Sequence, residues 1–525
     1  VAVQDEGVHG MADVPIGRAR RLPPELAMLR ITNARHRLPA VFGTGLLIML
    51  AIGVMVGGGI FSLAGEQAAT MAGPAVIISF LVASIVCLLA ALSYAELSST
   101  LPTAGSVYTF AYVAFGELWA WIVGWALVLE LVVAAAVVSR IWAAYFTSTL
   151  DGFDIGIPTF LAEHSQVSEG TGWIGAALVI VLMLLVMTGA KLTGRVLALI
   201  VTAKLVAVVL VIAVGATHVK AANYTPFIPK PEAREGSATV LQTLVGTSDA
   251  FGIVGIFTAA GAIVFSFIGF DLIATAAEDA KDPRRSIPRA MLASIGIVTI
   301  LYVGMATVLV GLRPYGELNT AAPVSDALRA AGSPGWSANV INVGALFGLT
   351  TVVLVVLIAQ SRVLFAMGRD GLLPRSLARV GTGSSPSRAA VVAGLAAAAL
   401  ALDPGTVKRA ELLVLGTLFA FAFCAVGVIR LRKSQPDLER GFRVPFVPLV
   451  PILSLLATFW LSLNLSWHTW RDFVIWMIFG VLLYLAYGLR HSALGNREEP
   501  PPAPPAPEPG LPNVRPPGAH RAGYR

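Results

Sequence analysis

Ile48–Gly65 reads IMLAIGVMVGGGIFSLAG. The segment is apolar enough to lie in hydrocarbon, yet Gly57, Gly58 and Gly59 follow one another, with Gly53 one turn earlier. A mid-helix glycine costs about 1 kcal/mol relative to alanine, so three in succession invite the helix to open. Free amides in a bilayer cost several kcal/mol each, so an opened backbone at that depth has to line a polar cavity. Opening also leaves a helix N-terminus in mid-membrane, and its N–H groups attract a carboxylate. Gly53 and Gly57 also form a GxxxG pair, so close helix packing is the competing reading.

A second interruption lies in Ala259–Pro283, AAGAIVFSFIGFDLIATAAEDAKDP. There Phe265-Ser266-Phe267-Ile268-Gly269-Phe270-Asp271 sets a glycine and a carboxylate inside an apolar run. An intramembrane carboxylate costs at least ~2.5 kcal/mol. Asp271 is expected to cap a second half-helix by accepting from its free amides, with direct ligand contact as the alternative. Either way the helix is broken. Matched breaks in two apolar segments point to a midplane transporter site, with amides for a carboxylate and carbonyls for an ammonium.

The rest of the chain has the composition such a site needs. Of 525 residues, 56% are hydrophobic and 13% charged, and the mean hydropathy is +0.78. Soluble domains carry about 25% charged residues, so lipid is the expected solvent. Scanning for apolar runs of about 20 residues gives twelve predicted spans: 41–64, 74–97, 118–145, 172–190, 194–218, 254–280, 286–312, 336–366, 387–403, 410–432, 444–464 and 470–489. The fold class expected is an all-α polytopic membrane protein of twelve transmembrane helices, forming one body over 41–490. If spans 1–5 (41–218) and 6–10 (254–432) are an inverted repeat, the breaks occupy equivalent positions. The last two spans (444–490) then stand outside it.

The net charge of +7 comes from basic residues in short connectors, which orients a membrane protein and does not suggest nucleic acid. Arg18, Arg20, Arg21, Arg30, Arg35 and Arg37 precede the first span, and Lys191 and Arg195 follow the fourth. Lys281, Arg284, Arg285 and Arg289 follow the sixth; Arg369, Arg375, Arg379 and Arg388 the eighth; Arg430, Arg432, Lys433, Arg440 and Arg443 the tenth. The opposing loop with Asp151, Asp154 and Glu163 is acidic. Both termini are therefore expected in the cytoplasm, with residues 1–40 a polar tail lacking a removable signal peptide. Residues 491–525, including the Pro-rich Glu498–Glu508, are expected to be a disordered tail. Cys87 and Cys424 lie inside apolar runs and suggest neither a disulfide nor a metal site.

Two further charges sit inside spans. Glu130 lies in WALVLELVVAAAV and Lys204 in ALIVTAKLVAVVLVI, about nine residues (~13 Å) from Arg195 and so beyond easy snorkelling. Each has a structural reading, as an ion pair or a bond to a carbonyl. The functional readings make Lys204 a titrating proton carrier or a fixed charge in place of a bound cation. They make Glu130 a contact for the substrate side chain or a partner for Lys204. No GxxxxGK[ST] loop, HExxH, TVGYG or arginine ladder is present, so ATP-driven pumping, zinc hydrolysis and ion channelling lack support.

Four segments carry a family resemblance: Ile52–Phe61 (IGVMVGGGIF), Ala90–Glu130, Phe265–Pro288 (FSFIGFDLIATAAEDAKDPRRSIP) and Arg362–Pro374 (RVLFAMGRDGLLP). They resemble the amino acid–polyamine–organocation superfamily, in particular bacterial relatives of the cationic amino acid transporters, from about Leu38 to Gly488. The resemblance implies the leucine-transporter-like 5+5 inverted repeat with helices 1 and 6 broken. It implies that Gly57, Gly58 and Gly59 bind the substrate carboxylate, and carbonyls of Ala51, Ile52, Phe265, Ser266 and Ile268 its amino group. It makes Lys204 similar to a lysine that replaces sodium in proton-coupled relatives, and Glu130 similar to the third-span glutamate of the cationic branch. Leu131 departs from the tyrosine that relatives often carry there.

Leu349, in FGLTTVV, is expected to project toward the site and crowd a long side chain. Glu130 argues for arginine or lysine, and Leu349 for small neutral amino acids. The function expected is a permease of the cell membrane, not an enzyme and without cofactor, that moves amino acids by alternating access with the proton as coupling ion. An exchanger or a non-transporting amino acid sensor is the alternative.

Overall fold

The computed structural model describes residues 20–25, 27, 42–103, 105–152, 172–188, 194–233, 238–246, 249–320, 322–379 and 386–495. Arg18, Arg30, Arg35, Arg37, Asp154, Glu163, Lys191 and the Pro-rich stretch lie outside these residues.

Each of the twelve apolar runs falls on helix. The first gives α1 (Thr44–Met55), an interruption at Val56–Gly58, and a π-helical turn at Gly59–Leu63 that continues through Ala64–Gln67. There follow α2 (Val76–Thr100), the short α3 (Ser106–Ala114), α4 (Glu117–Gly152), α5 (Gly172–Met187) and α6 (Gly194–Ala216). After a connection come α7 (Gly252–Phe267), which passes at its own break into a 3-10 helix at Asp271–Asp279, and α8 (Pro283–Leu312). Then come the short α9 (Pro323–Ala330), α10 (Gly335–Arg369), α11 (Ser387–Leu402), α12 (Ala410–Ser434), α13 (Leu449–Leu463) and α14 (Trp467–Leu483). The connection before α7 holds two two-residue strands, Glu232–Ala233 and Asp249–Ala250, paired antiparallel. Among the described residues eight helices are long and apolar enough to cross a membrane, and α1, α5, α11 and α13 are shorter apolar helices.

The helices pack as two groups. α4 lies most extensively on α10, and α5 on α11; α2 lies on α8 and α7, and α8 on α1. α4 is central: its apolar window is 89% buried, against 22% for the last helix. The breaks of α1 and α7 meet between the groups.

The chain ends extend the expected body. Leu22 is buried and its N–H donates to Tyr112 O, and Ala493 N–H donates to Asp370 O at 2.9 Å. Both contacts fall in stretches read from sequence as tails. Hydrogen bonding to buried polar groups holds them, and that leaves no apolar periodicity to read. Glu117, 1% exposed at the start of α4, is the hub. Its carboxylate accepts from Arg20 Nη1 (3.2 Å), Tyr484 Oη (2.9 Å), Tyr112 Oη (3.1 Å) and Ser492 Oγ.

Removing a buried acceptor strands every donor it served. Glu117→Ala is therefore expected to lower the apparent melting temperature in detergent by several degrees, in line with a loss of about 3 kcal/mol. The same change at exposed Leu118 should shift it little. Equal melting of the two variants would remove Glu117 from its role as a hub.

Candidate functional site

α1 ends because the glycines that follow offer no side chain to pack and little resistance to unwinding. Val56 leaves helical geometry, and the Gly57, Gly58 and Gly59 N–H groups have no acceptor among the described residues. The second break turns on Gly269, whose φ of +135° suits glycine alone among the common residues. A Cβ there would also stand 2.8 Å from Val54 Cβ, so the two breaks are in direct contact.

The glycines mark where each neighbour lies. A Cβ on Gly57 would meet Val352 Cγ2 at 2.9 Å and Leu349 Cδ2 at 3.9 Å. One on Gly58 would meet Ile141 Cδ1 at 2.7 Å and Phe265 Cε1 at 3.3 Å, and one on Gly59 would overlap Ser266 Oγ at 2.0 Å. The structure thus gathers Gly57, Gly58, Gly59, Phe265, Ser266 and Leu349 at one place. Ser266 Oγ is buried there without a hydrogen-bond partner among the described residues.

The carbonyls that α1 releases lie further along than the sequence suggested. Ile52 O accepts the Val56 N–H at 2.9 Å and so belongs to the helix, as does the Ala51 position. Outward bonding begins at Gly53. Lys204 Nζ donates to Gly53 O (2.7 Å) and Val56 O (2.8 Å), and Tyr302 Oη lies 2.5 Å from Met55 O and 2.7 Å from Ser266 O. A hydroxyl has one proton, so Tyr302 donates to one break at a time while touching both. Tyr145 Oη donates to Phe61 O at 2.6 Å. In the second break Phe265 O accepts from Ile268 N–H at 3.3 Å.

Asp271 is the first residue of the 3-10 segment and does not occupy the N-cap, which is Phe270. Its carboxylate reaches back to the Gly269 N–H at 2.9 Å and braces the turn itself. The N–H groups of Asp271 and Leu272 also face this carboxylate, so it serves the start of the 3-10 segment as well as the turn.

Lys204 and Glu130 do not pair. Lys204 donates to two α1 carbonyls, and Glu130 faces Asp271 and the α12 segment at Gly416-Thr417. Both Glu130 oxygens are buried with no partner in hydrogen-bond geometry among the described residues; the nearby Thr417 hydroxyl donates to Leu413 O at 3.2 Å. The two donors that Lys204 uses are available to an amine as well as to an ammonium, so its contacts survive loss of a proton.

Tyr302, Tyr145 and Ile141 escaped the sequence reading. For the tyrosines a signal existed: a hydroxyl in an apolar helix needs a partner. Nothing in the sequence named which carbonyl it would find.

With this geometry in place the comparisons become specific. A family model described as "Amino acid permease" matches residues 42–484. The chain belongs to the amino acid permease family. It is 40% identical over 455 residues to the methylthioribose transporter of Bacillus subtilis, covering 86% of this chain and 94% of that protein. It is 39% identical over 475 residues to the branched-chain amino acid permease BcaP of the same organism, covering 89% and 97%. The vacuolar cationic amino acid transporter 4 of Arabidopsis thaliana is more distant, 27% identical with 91% and 96% covered. Among solved structures, MhsT in complex with L-phenylalanine shares the fold, with a TM-score of 0.53 at 13% identity, covering 84% of this chain and 98% of that one. This permease is thus a multi-pass membrane protein, and its relatives carry the names of transporters and permeases, which are not enzymes.

The closeness of Gly59 to Ser266 gives a direct check. A Cβ on Gly59 would lie 2.5 Å from Ser266 Cα, so the breaks would have to separate. Gly59→Ala is expected to weaken amino acid binding to this permease at least about tenfold, read by calorimetry on purified protein. Gly296→Ala, where nothing lies within 4 Å, should leave the affinity unchanged. Equal affinities would place the ligand elsewhere.

Proposed function

We propose that this permease is a proton-coupled secondary transporter of neutral aliphatic amino acids. The observation that carries the substrate class is the lining of the glycine run. The side chains nearest Gly57 and Gly58 are Val352, Leu349, Ile141 and Phe265, all apolar. A branched aliphatic side chain fits such a lining, and a guanidinium would lose its water there without compensation. Glu130 lies eleven residues before Ile141 on α4, roughly 16 Å along the helix, and is not among the side chains nearest Gly57 and Gly58. The likeness to a branched-chain amino acid permease supports the same class.

In this reading the amides of Gly57, Gly58 and Gly59 receive the substrate carboxylate, and the carbonyls of the two breaks receive its ammonium. Ser266 Oγ completes the polar set. The twelve spans form a 5+5 inverted repeat with α13 and α14 outside it, and both termini face the cytoplasm, in keeping with the basic connectors. Alternating access then moves the group holding α1, α2, α7 and α8 against the group holding α4, α5, α10 and α11.

Lys204 supplies the coupling. Its two carbonyl acceptors hold α1 to α6 in the present conformation, and no carboxylate among the described residues pairs with it. A change in accessibility that wets this lysine changes the balance between amine and ammonium, and so moves a proton with the substrate.

In proteoliposomes, uptake of branched-chain amino acids should rise with an inward proton gradient and collapse with a protonophore. Lys204→Met should abolish accumulation while sparing some exchange. Accumulation by Lys204→Met on a proton gradient would end the carrier role; uptake that follows sodium at constant pH would replace the proton; binding without any uptake would leave a sensor.

Pocket size is tested separately. Leu349→Gly should let larger side chains compete with leucine several-fold better by removing bulk beside Gly57. An unchanged competition profile would place Leu349 outside the pocket.

A further inference from the structure

The connection between α12 and α13 is folded around charge. Glu96, at the end of α2 and 2% exposed, takes Arg432 in a two-pronged pair (Nε–Oε1 2.8 Å, Nη2–Oε2 2.5 Å) and accepts the Val444 N–H at 2.7 Å. Arg440 Nε stands 3.4 Å from the same carboxylate. Its guanidinium also donates to the carbonyls of Leu431, Gln435, Pro436 and Leu438, which rolls the loop around it. Arg284, in the first turn of α8, pairs with Glu439 at 2.5 Å, and a Cβ on Gly441 would touch Arg284 O. The start of α8 and the α12–α13 connection thus form one surface.

That surface is over-supplied with positive charge. Segments 281–289 and 430–443 together carry nine basic side chains, and the carboxylates among them, with Glu96, number four: Asp282, Asp437, Glu439 and Glu96. Arg432 and Arg443 both repel Arg440. Arg443 is exposed and makes no ion pair among the described residues.

Beside it the loop turns apolar. Phe446 has φ +49°, an uncommon and strained conformation for a bulky residue, and is 79% exposed. Leu449, Ile452, Leu453 and Leu456 continue an exposed stripe up α13. The stripe enters a groove of about 520 Å³ between α13 and Leu89 of α2, lined only by apolar side chains such as Leu453, Leu456, Phe459 and Trp460. Leu89 lies seven residues, roughly 10 Å, along α2 from Glu96.

We propose that the α12–α13 connection binds an anionic phospholipid, with Arg443 and its neighbouring guanidiniums on the phosphate and the acyl chain along the α13 groove. Surplus cations at the end of an apolar groove match a molecule that is anionic at one end and hydrocarbon at the other. A free anion would use the arginines and leave Phe446 and the stripe without purpose. The proposal rests on the membrane setting and stands whatever amino acid is carried.

The test uses full-length protein reconstituted in equal phosphatidylglycerol and phosphatidylcholine, gently extracted, with retained lipids counted by native mass spectrometry. Enrichment of phosphatidylglycerol is expected, falling about fivefold in Arg443→Ala, the scale of one interfacial cation. Phe446→Ala should reduce the total lipid retained. Lys230→Ala, exposed on the opposite connection, should change neither. Near-equal retention of both lipids by the unaltered protein would overturn the proposal. So would an equal loss in Lys230→Ala, or release of the phosphatidylglycerol by millimolar inorganic phosphate, which would assign the cluster to a free anion.

Discussion

Every polar group that α1 and α7 release by opening has to find a partner before a bilayer will tolerate the opening. For the carbonyls the structure meets that demand with side chains from other helices. Lys204 of α6 takes Gly53 O and Val56 O, Tyr302 of α8 spans Met55 O and Ser266 O, and Tyr145 of α4 takes Phe61 O. Three helices from both packing groups therefore converge on about ten residues of backbone. The carbonyls are held while the amides of Gly57–Gly59 are left over. That imbalance supports the proposed seat for the substrate carboxylate at the glycine amides.

The breaks themselves were legible, because glycine in mid-span and aspartate in hydrocarbon are both costly and both visible. Where the released carbonyls would begin was less so. The helix runs on to Met55, since nothing before Gly57 weakens it enough, and the outward-bonding carbonyls start at Gly53 instead of Ala51. In the second break the bracing residue was legible, but not the backward contact it makes. Asp271 turns back to Gly269 because of that glycine's positive φ, a backbone detail that composition does not carry. The tyrosines and Ile141 depend on which helix faces which, and no single segment encodes that.

Buried carboxylates occur in two kinds here, and the difference separates scaffold from site. Glu96 and Glu117 stand at helix ends, each surrounded by donors from distant parts of the chain. Glu130 stands in mid-helix with none among the described residues, opposite a second carboxylate, Asp271. The first two pin loops and chain ends so that the helices keep their register. A protein stable on those terms can tolerate an unsatisfied group elsewhere, and unsatisfied groups collect where a structure has to change state.

The two packing groups give that change a direction. Tyr302 belongs to the group that contains both breaks, so its bridge between Met55 O and Ser266 O moves with them as one piece. Lys204 and Tyr145 reach the same backbone from outside the group, so any relative movement has to exchange or stretch their bonds. The bond from Tyr145 is neutral at both ends. The bonds from Lys204 involve a group that can gain or lose a proton without losing either contact. Of these two ties it is the one whose strength depends on protonation, which is why the proposed coupling is assigned to it.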